Sequence, residues 1–352
     1  MKALYHCSSL RVLAAFGLLL ASLTPAHSQE AIDAPERVKR SPQVVLDALL
    51  NHYGKRYAGS YLQALALRVR VEEQGRDAVA PILAPAFEKA AKIKSGGQLS
   101  GRLAFVPWAA DDPRARQRVL EAANLGLDKH GSAKAEMPFH NEMSDAVFMA
   151  CPILCEAGRL TGNTNYTTAA WNHLGLVRER CLRKDGLYRH SPLNEAAWGR
   201  GNGFPALGLS MCLDTVPADW PQRAAMRNML VAHLTALLPH QDANGMWHQV
   251  IDHPDSYAEF TCTCMISVAA IRAMREGWID QKQWRPAIEQ SWKAVKGRIS
   301  LDGATLNGCC TGTGKQKSLE AYFKRKEIHG RDERGGAMAL LFAFEMKKGI
   351  AR

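Results

Sequence analysis

The chain has 352 residues, with 45 Lys and Arg against 34 Asp and Glu for a formal charge of +11, and 47% apolar residues. This is a globular composition: it excludes a disordered or collagen-like chain and allows one large or two medium domains with a deep core. Beyond the N-terminus no apolar run reaches the ~20 residues that a membrane helix needs, which excludes a multi-span membrane protein.

The N-terminus reads as a targeting segment. Lys2 and Arg11 precede an apolar run over 12–23 (VLAAFGLLLASL), and Ala26-His27-Ser28 after Pro25 offers a small-x-small cleavage site before Gln29. The expectation is a signal peptide over 1–28, a periplasmic or secreted protein, and a mature chain over 29–352 of charge +9 with no membrane attachment. An uncleaved anchor is the alternative. A basic surface of this kind suits an acidic partner. Its positive residues are scattered, with short clusters at 178–184 and 315–326, and lack the aromatic interleaving of a single-strand binder. Together with export, this argues against a nucleic-acid partner.

In chain order, the pattern is helix after helix. An apolar helix is expected over 146–158, preceded by the polar run His140-Asn141-Glu142-Met143-Ser144-Asp145. Asp145 has an ordinary explanation there, because carboxylates are favoured at helix N-termini as caps and by the dipole. The segment 186–204 (GLYRHSPLNEAAWGRGNGF) follows, dense in polar and aromatic residues and in glycines that let backbone or a ligand come close. A helix over 225–238 is expected next, with Asp219-Trp220-Pro221 as its start signal. Further helices are expected over 264–275, stopped by Gly277, over 284–299 and over 337–344, while strand-like alternation is nearly absent. Eight cysteines follow Cys7, without the CxxC pairs of a zinc site; most read as small buried residues, with one bridge conceivable among Cys262, Cys264, Cys309 and Cys310.

A repeat underlies the helices. Asp185-Gly186, Asn244-Gly245 and Asp302-Gly303 are the same turn type at intervals of 59 and 58 residues. Each interval holds a helical hairpin, and the mature chain accommodates about six such units. Six hairpins close into an all-α (α/α)6 toroid, one domain with a central site; an open solenoid is the alternative. In a toroid, a carboxylate at the start of an inner helix faces the centre. His248, after the Asn244-Gly245 turn, should then reach the same rim as the 186–204 segment.

Four motifs occur in a family's order and spacing: 143–150 (MSDAVFMA), 197–203 (AWGRGNG), 245–252 (GMWHQVID) with Asp255-Ser256-Tyr257, and 310–314 (CTGTG). On these the chain, from about residue 141 onward, resembles the unsaturated uronyl hydrolases, glycoside hydrolase families 105 and 88. The resemblance implies the toroid fold and a partner in the form of an acidic, lyase-generated unsaturated oligosaccharide, of the rhamnogalacturonyl type. It implies hydration of the double bond between carbons 4 and 5 with release of the neighbouring sugar, and no metal or organic cofactor. It assigns Asp145 as one acid and places the proton donor shortly before Trp198, where Glu195 stands in for the family's aspartate. If Asn194 holds that position instead, the donor is lost. Asp145 then acts alone, or the protein only binds oligosaccharide. His140, His190, Trp198, Arg200, Asn202, Trp247 and His248 are the implied substrate contacts, with Arg200 pairing the substrate carboxylate and Trp198 or Trp247 stacking on a ring.

Overall fold

The computed structural model describes residues 35–89 and 91–350; the expected signal peptide and Cys7 lie outside the described residues. Helices alternate between two layers. The outer layer holds α1 (Pro42–Leu50), α3 (Arg76–Glu88), α5 (Pro113–Ala123), α7 (Thr164–Cys181), α9 (Arg223–Leu237) and α11 (Gln281–Gly297). The inner layer holds α2 (Tyr61–Gln74), α4 (Gly96–Gly101, continued by a 3-10 segment over Arg102–Trp108), α6 (Ala146–Thr161), α8 (Gly199–Thr215), α10 (Phe260–Arg275) and α13 (Glu333–Lys348). Each inner helix packs on the next, and α13 packs back on α2, so the ring closes. This is the (α/α)6 toroid, not the open solenoid.

Patterning explains which helix goes where. Residues 146–158 of α6 and 199–213 of α8 are all buried, as a helix enclosed on every side requires. The outer helix α11 buries a single stripe, Trp284, Ile288, Trp292 and Val295, and turns its other face to water. The turns repeat as expected: Gly186, Gly245 and Gly303 have φ of +85°, +88° and +80°, a conformation that glycine adopts without strain. An aspartate side chain accepts backbone N–H groups in each turn: Asp185 from Leu187, Asp242 from Asn244 and Met246, Asp302 from Ala304. Gly131, at φ +80°, with Asp128 accepting from His130 and Ser132, makes a fourth copy. Its glycine follows a histidine, so the dipeptide signal is missing.

The eight described cysteines are all buried, as expected, and none is bridged. Two details differ from expectation. Helix α9 starts at Arg223 behind Gln222, with no side-chain cap, so Asp219 does not cap it. A two-stranded antiparallel sheet, β1 (Leu306–Cys310) and β2 (Glu327–Gly330), precedes the last inner helix. Its connection contains a short helix, α12 (Leu319–Phe323), and supplies part of the site.

Candidate active site

Because each outer helix returns the chain, the six inner helices run parallel and their N-termini gather on one face of the ring. Asp145 immediately precedes α6 on that face, in helical conformation (φ −54°, ψ −29°), and its side chain makes no capping hydrogen bond. Capping therefore does not account for this carboxylate. It is buried, and Oδ1 stands 3.3 Å from Nε2 of the fully buried His190.

His190 is held from several sides. Its N–H donates to Ala196 O, and its carbonyl accepts from Ser144 N–H, tying the 188–198 segment to the start of α6. Asn202, in the first turns of α8, accepts from Tyr188 N–H and donates to the carbonyls of Tyr188 and Trp198. The imidazole lies against Trp198, ring centroids 4.4 Å apart, and Nδ1 is 2.8 Å from the Tyr322 hydroxyl on α12. Burial pushes the Tyr322 phenol above its ordinary pKa, so it keeps its proton. Its oxygen already accepts from Gln316 N–H, so the phenol proton goes to Nδ1. Imidazole Nε2 then carries the other proton and faces Asp145.

Gly201 makes this assembly possible. A Cβ there would stand 2.9 Å from Ser144 Oγ, 3.3 Å from Trp198 Cε3 and 3.5 Å from His190 Cδ2. The glycines of the 197–203 motif thus serve close packing of the protein on itself.

A cluster of buried polar atoms without hydrogen-bond partners marks the place: Ser144 Oγ, Asp145 Oδ1, His190 Nε2, Trp198 Nε1, His140 Nδ1 and Tyr257 Oη. Buried polar groups are normally paired, and these five, with the carboxylate oxygen itself, lack partners among the described residues, as polar groups that a ligand satisfies would. His140 enters this cluster through strained backbone. Phe139 and His140 have φ of +66° and +55°, which non-glycine residues rarely adopt, and the imidazole reaches the Gly96 end of α4.

Several expected residues turn away or are already engaged by the protein. Glu195 is largely exposed, its side chain paired with Arg189, because the hydrogen bond between His190 N–H and Ala196 O and the bridge between Ser191 and Asn194 turn it outward. Asn194 spends its amide on Gln316 O and Ala196 N–H. Trp247 is fully buried in the core, its indole N–H donating to Leu237 O. His248 has both ring nitrogens engaged, Nδ1 by Ser256 O and Nε2 by Asp242 at 3.3 Å. Asn202 is wholly committed to backbone. Arg200 stacks on Trp198 (4.7 Å) and donates to the carbonyls of Cys310 and Thr311 at 2.6 and 2.8 Å. Burial works against its charge, yet Cys310, Glu259, Tyr61 and Asp145 outweigh burial and hold it above the ordinary arginine pKa.

Sequence reasoning quoted Ser144 and Tyr257 within its motifs without giving them a role, and missed Tyr322 and Tyr61. Tyr61 opens α2 and meets Phe148 and Phe204 edge-on at 5.6 and 5.7 Å. Burial pushes its phenol up to about 12, with Arg200, Asp145, Arg334 and Asp332 all within electrostatic reach. A cavity of about 450 Å³ opens on the opposite face of the ring, lined by Arg68, Asp214, Arg272 and Glu345 among others. Its charges are mutually paired, Arg272 with Asp214 and Glu345, and it lies at the far ends of the inner helices from Asp145.

Comparison with known proteins places this arrangement in a family. The chain is 24% identical over 296 residues to the unsaturated rhamnogalacturonyl hydrolase YesR of Bacillus subtilis, covering 80% of this chain and 82% of that protein. It is 26% identical over 196 residues to an unsaturated 3S-rhamnoglycuronyl hydrolase of Formosa agariphila, covering 51% of each. Among solved structures, a possible member of family GH105 from Salmonella enterica superposes with a TM-score of 0.73 at 20% identity, covering 96% of this chain and 99% of the other. The family model for Glycosyl Hydrolase Family 88 matches residues 103–350, and with it this toroid, carrying Asp145 and His190 at its centre, is a glycosidase that belongs to that family.

Proposed function

We propose that the protein hydrates the double bond of unsaturated uronyl oligosaccharides, with Asp145 as its proton-transferring acid. The observation that carries this is the pairing of a non-capping, buried carboxylate with the Nε2 face of His190, 3.3 Å away. The relatives' names supply the substrate class, and the chemistry fits the residues present.

Ordinary glycoside hydrolysis uses two carboxylates flanking the bond. Here Asp145 is the only expected acid that turns inward, since Glu195 is exposed on Arg189. Hydration of a vinyl ether needs one carboxyl group cycling a single proton. Asp145 in its acid form protonates carbon 4, leaving positive charge at carbon 5 shared with the ring oxygen. Water adds its oxygen at carbon 5, and its released proton returns to Asp145. The resulting hemiketal opens to a ketone, and the neighbouring sugar leaves from carbon 1 as an alcohol. His190 Nε2–H is placed to hydrogen-bond Asp145 or a substrate oxygen, and Ser144, Trp198 and His140 offer further polar contacts. Glu195, Trp247, His248 and Asn202 have no direct part in this scheme.

The positively charged, apolar and small-residue order of the N-terminal segment supports export, where a lyase-generated oligosaccharide is met before uptake. The test is to incubate the protein with an unsaturated galacturonyl-rhamnose disaccharide and follow the ultraviolet absorbance of the conjugated double bond. Loss of absorbance with release of rhamnose, while the saturated disaccharide stays intact, is expected. Consumption of the saturated sugar would instead indicate ordinary glycoside hydrolysis.

A further inference from the structure

An unsaturated uronate carries its carboxylate on carbon 5, the atom that water attacks, so the site needs a cation for it. Arg200 was the expected one. Its guanidinium is fully buried and stacked on Trp198, with both terminal nitrogens given to the carbonyls of Cys310 and Thr311. It holds the β1 end of the insertion against α8 and has no free edge for a ligand.

A second arginine stands on the same face. Arg334 lies in the first turn of α13, two residues after the capping residue Asp332. Asp332 takes one edge of its guanidinium, Nε at 3.2 Å and Nη2 at 2.5 Å. The other nitrogen, Nη1, makes no protein hydrogen bond among the described residues and lies beside Gly312, where a Cβ would approach it to 3.3 Å. The side chain is 26% exposed, whereas Arg200 is 3% exposed as a residue. Opposite Arg334, the ring closes through α2, whose first residue Tyr61 is half-buried. Its phenol lies within electrostatic reach of Arg334, Asp332, Arg200 and Asp145 and makes no hydrogen bond to protein among the described residues.

From this geometry we infer that Arg334, through Nη1 and assisted by the Tyr61 hydroxyl, receives the substrate's carboxylate and determines the preference for uronates. Fixing the guanidinium on Asp332 leaves one edge pre-set for a carboxylate. Gly312 keeps the approach open, since a side chain there would crowd Nη1. The inference rests on the hydration reading proposed above, and it moves the specificity cation from α8 to α13.

The test separates the two. Binding of the unsaturated galacturonyl-rhamnose disaccharide and of its carboxyl methyl ester is measured by calorimetry on Asp145→Asn, which should not turn over, with and without Arg334→Gln or Arg334→Lys. With Arg334 intact, the acid should bind more tightly than the ester; Arg334→Gln should lose about 10- to 100-fold on the acid and little on the ester, and Arg334→Lys should recover part of the preference. Tyr61→Phe should lose a smaller factor, again on the acid. Equal losses on acid and ester, or a preference for the acid that survives Arg334→Gln, would overturn the assignment. A wild-type protein that leaves the double bond intact would defeat the hydration reading, while the acid-to-ester ratio would still decide the role of Arg334.

Discussion

Asp145 and His190 come from different hairpins of the ring, 45 residues apart in sequence, yet Oδ1 and Nε2 stand 3.3 Å apart with neither atom otherwise bonded. The backbone bond from Ser144 N–H to His190 O brings the two segments together. The contact is therefore built by the fold and does not depend on the pair's own attraction.

Gly201 sets the space for that contact. Gly201→Ala should fold, because the nearest atom, Ser144 Oγ, belongs to a side chain able to rotate, but Trp198, which lies against His190, must shift by tenths of an ångström. Turnover should fall by about tenfold or more, since misplacement on the order of 1 Å costs about 100-fold, with little change in Tm. Kinetics and calorimetry on the same variant check both parts.

Asn202 acts through backbone. Asn202→Ala leaves the N–H and carbonyl of buried Tyr188 without partners, at a cost of about 1–3 kcal/mol for each buried group. Denaturant unfolding should show a loss of about 2 kcal/mol or more. If stability were unchanged and only substrate binding weakened, Asn202 would be a ligand contact and not a staple.

Acid should destabilise the fold through histidines kept neutral. Burial, above all, lowers His173 to about 4, and Nδ1 there accepts from Met137 N–H, which requires the neutral ring. Burial likewise lowers His233. A histidine whose folded pKa lies below its unfolded value contributes stability that is fully present above the unfolded pKa, near 6.5, and is lost as pH falls toward about 4. Tm should therefore drop over that window. The drop should be shallower in His173→Asn, which keeps an acceptor and cannot be protonated.

The toroid was legible because two independent patterns agree. Asp/Asn-Gly turns recur at near-constant spacing, and helices such as 146–158 are apolar all round while 284–299 shows a single stripe. Motif resemblance pointed to Asp145, His190 and Trp198, which the fold brings side by side. Roles within a motif were harder to read, since a strand-like segment alternates direction. His190 turns inward and Glu195 outward, while Trp247 points into the core and its neighbour His248 toward Asp242. Arg200 looked like a ligand because arginine commonly is one; its partners are backbone carbonyls more than 100 residues away. Tyr322 gave no local signal at all. It arrives on a turn of helix inside the connection between β1 and β2, and only the closed ring sets it beside His190.

The most direct measurement compares the wild-type protein, Asp145→Asn and Glu195→Gln on an unsaturated uronyl disaccharide, following the ultraviolet absorbance of the double bond. Asp145→Asn should fall by about 100- to 10,000-fold, the range of a general acid. Glu195→Gln should keep near wild-type turnover and lose less than about 1 kcal/mol of stability, as for an exposed ion pair. The reverse order, with Glu195→Gln inactive and Asp145→Asn active, would contradict the assignment of Asp145 as the acid.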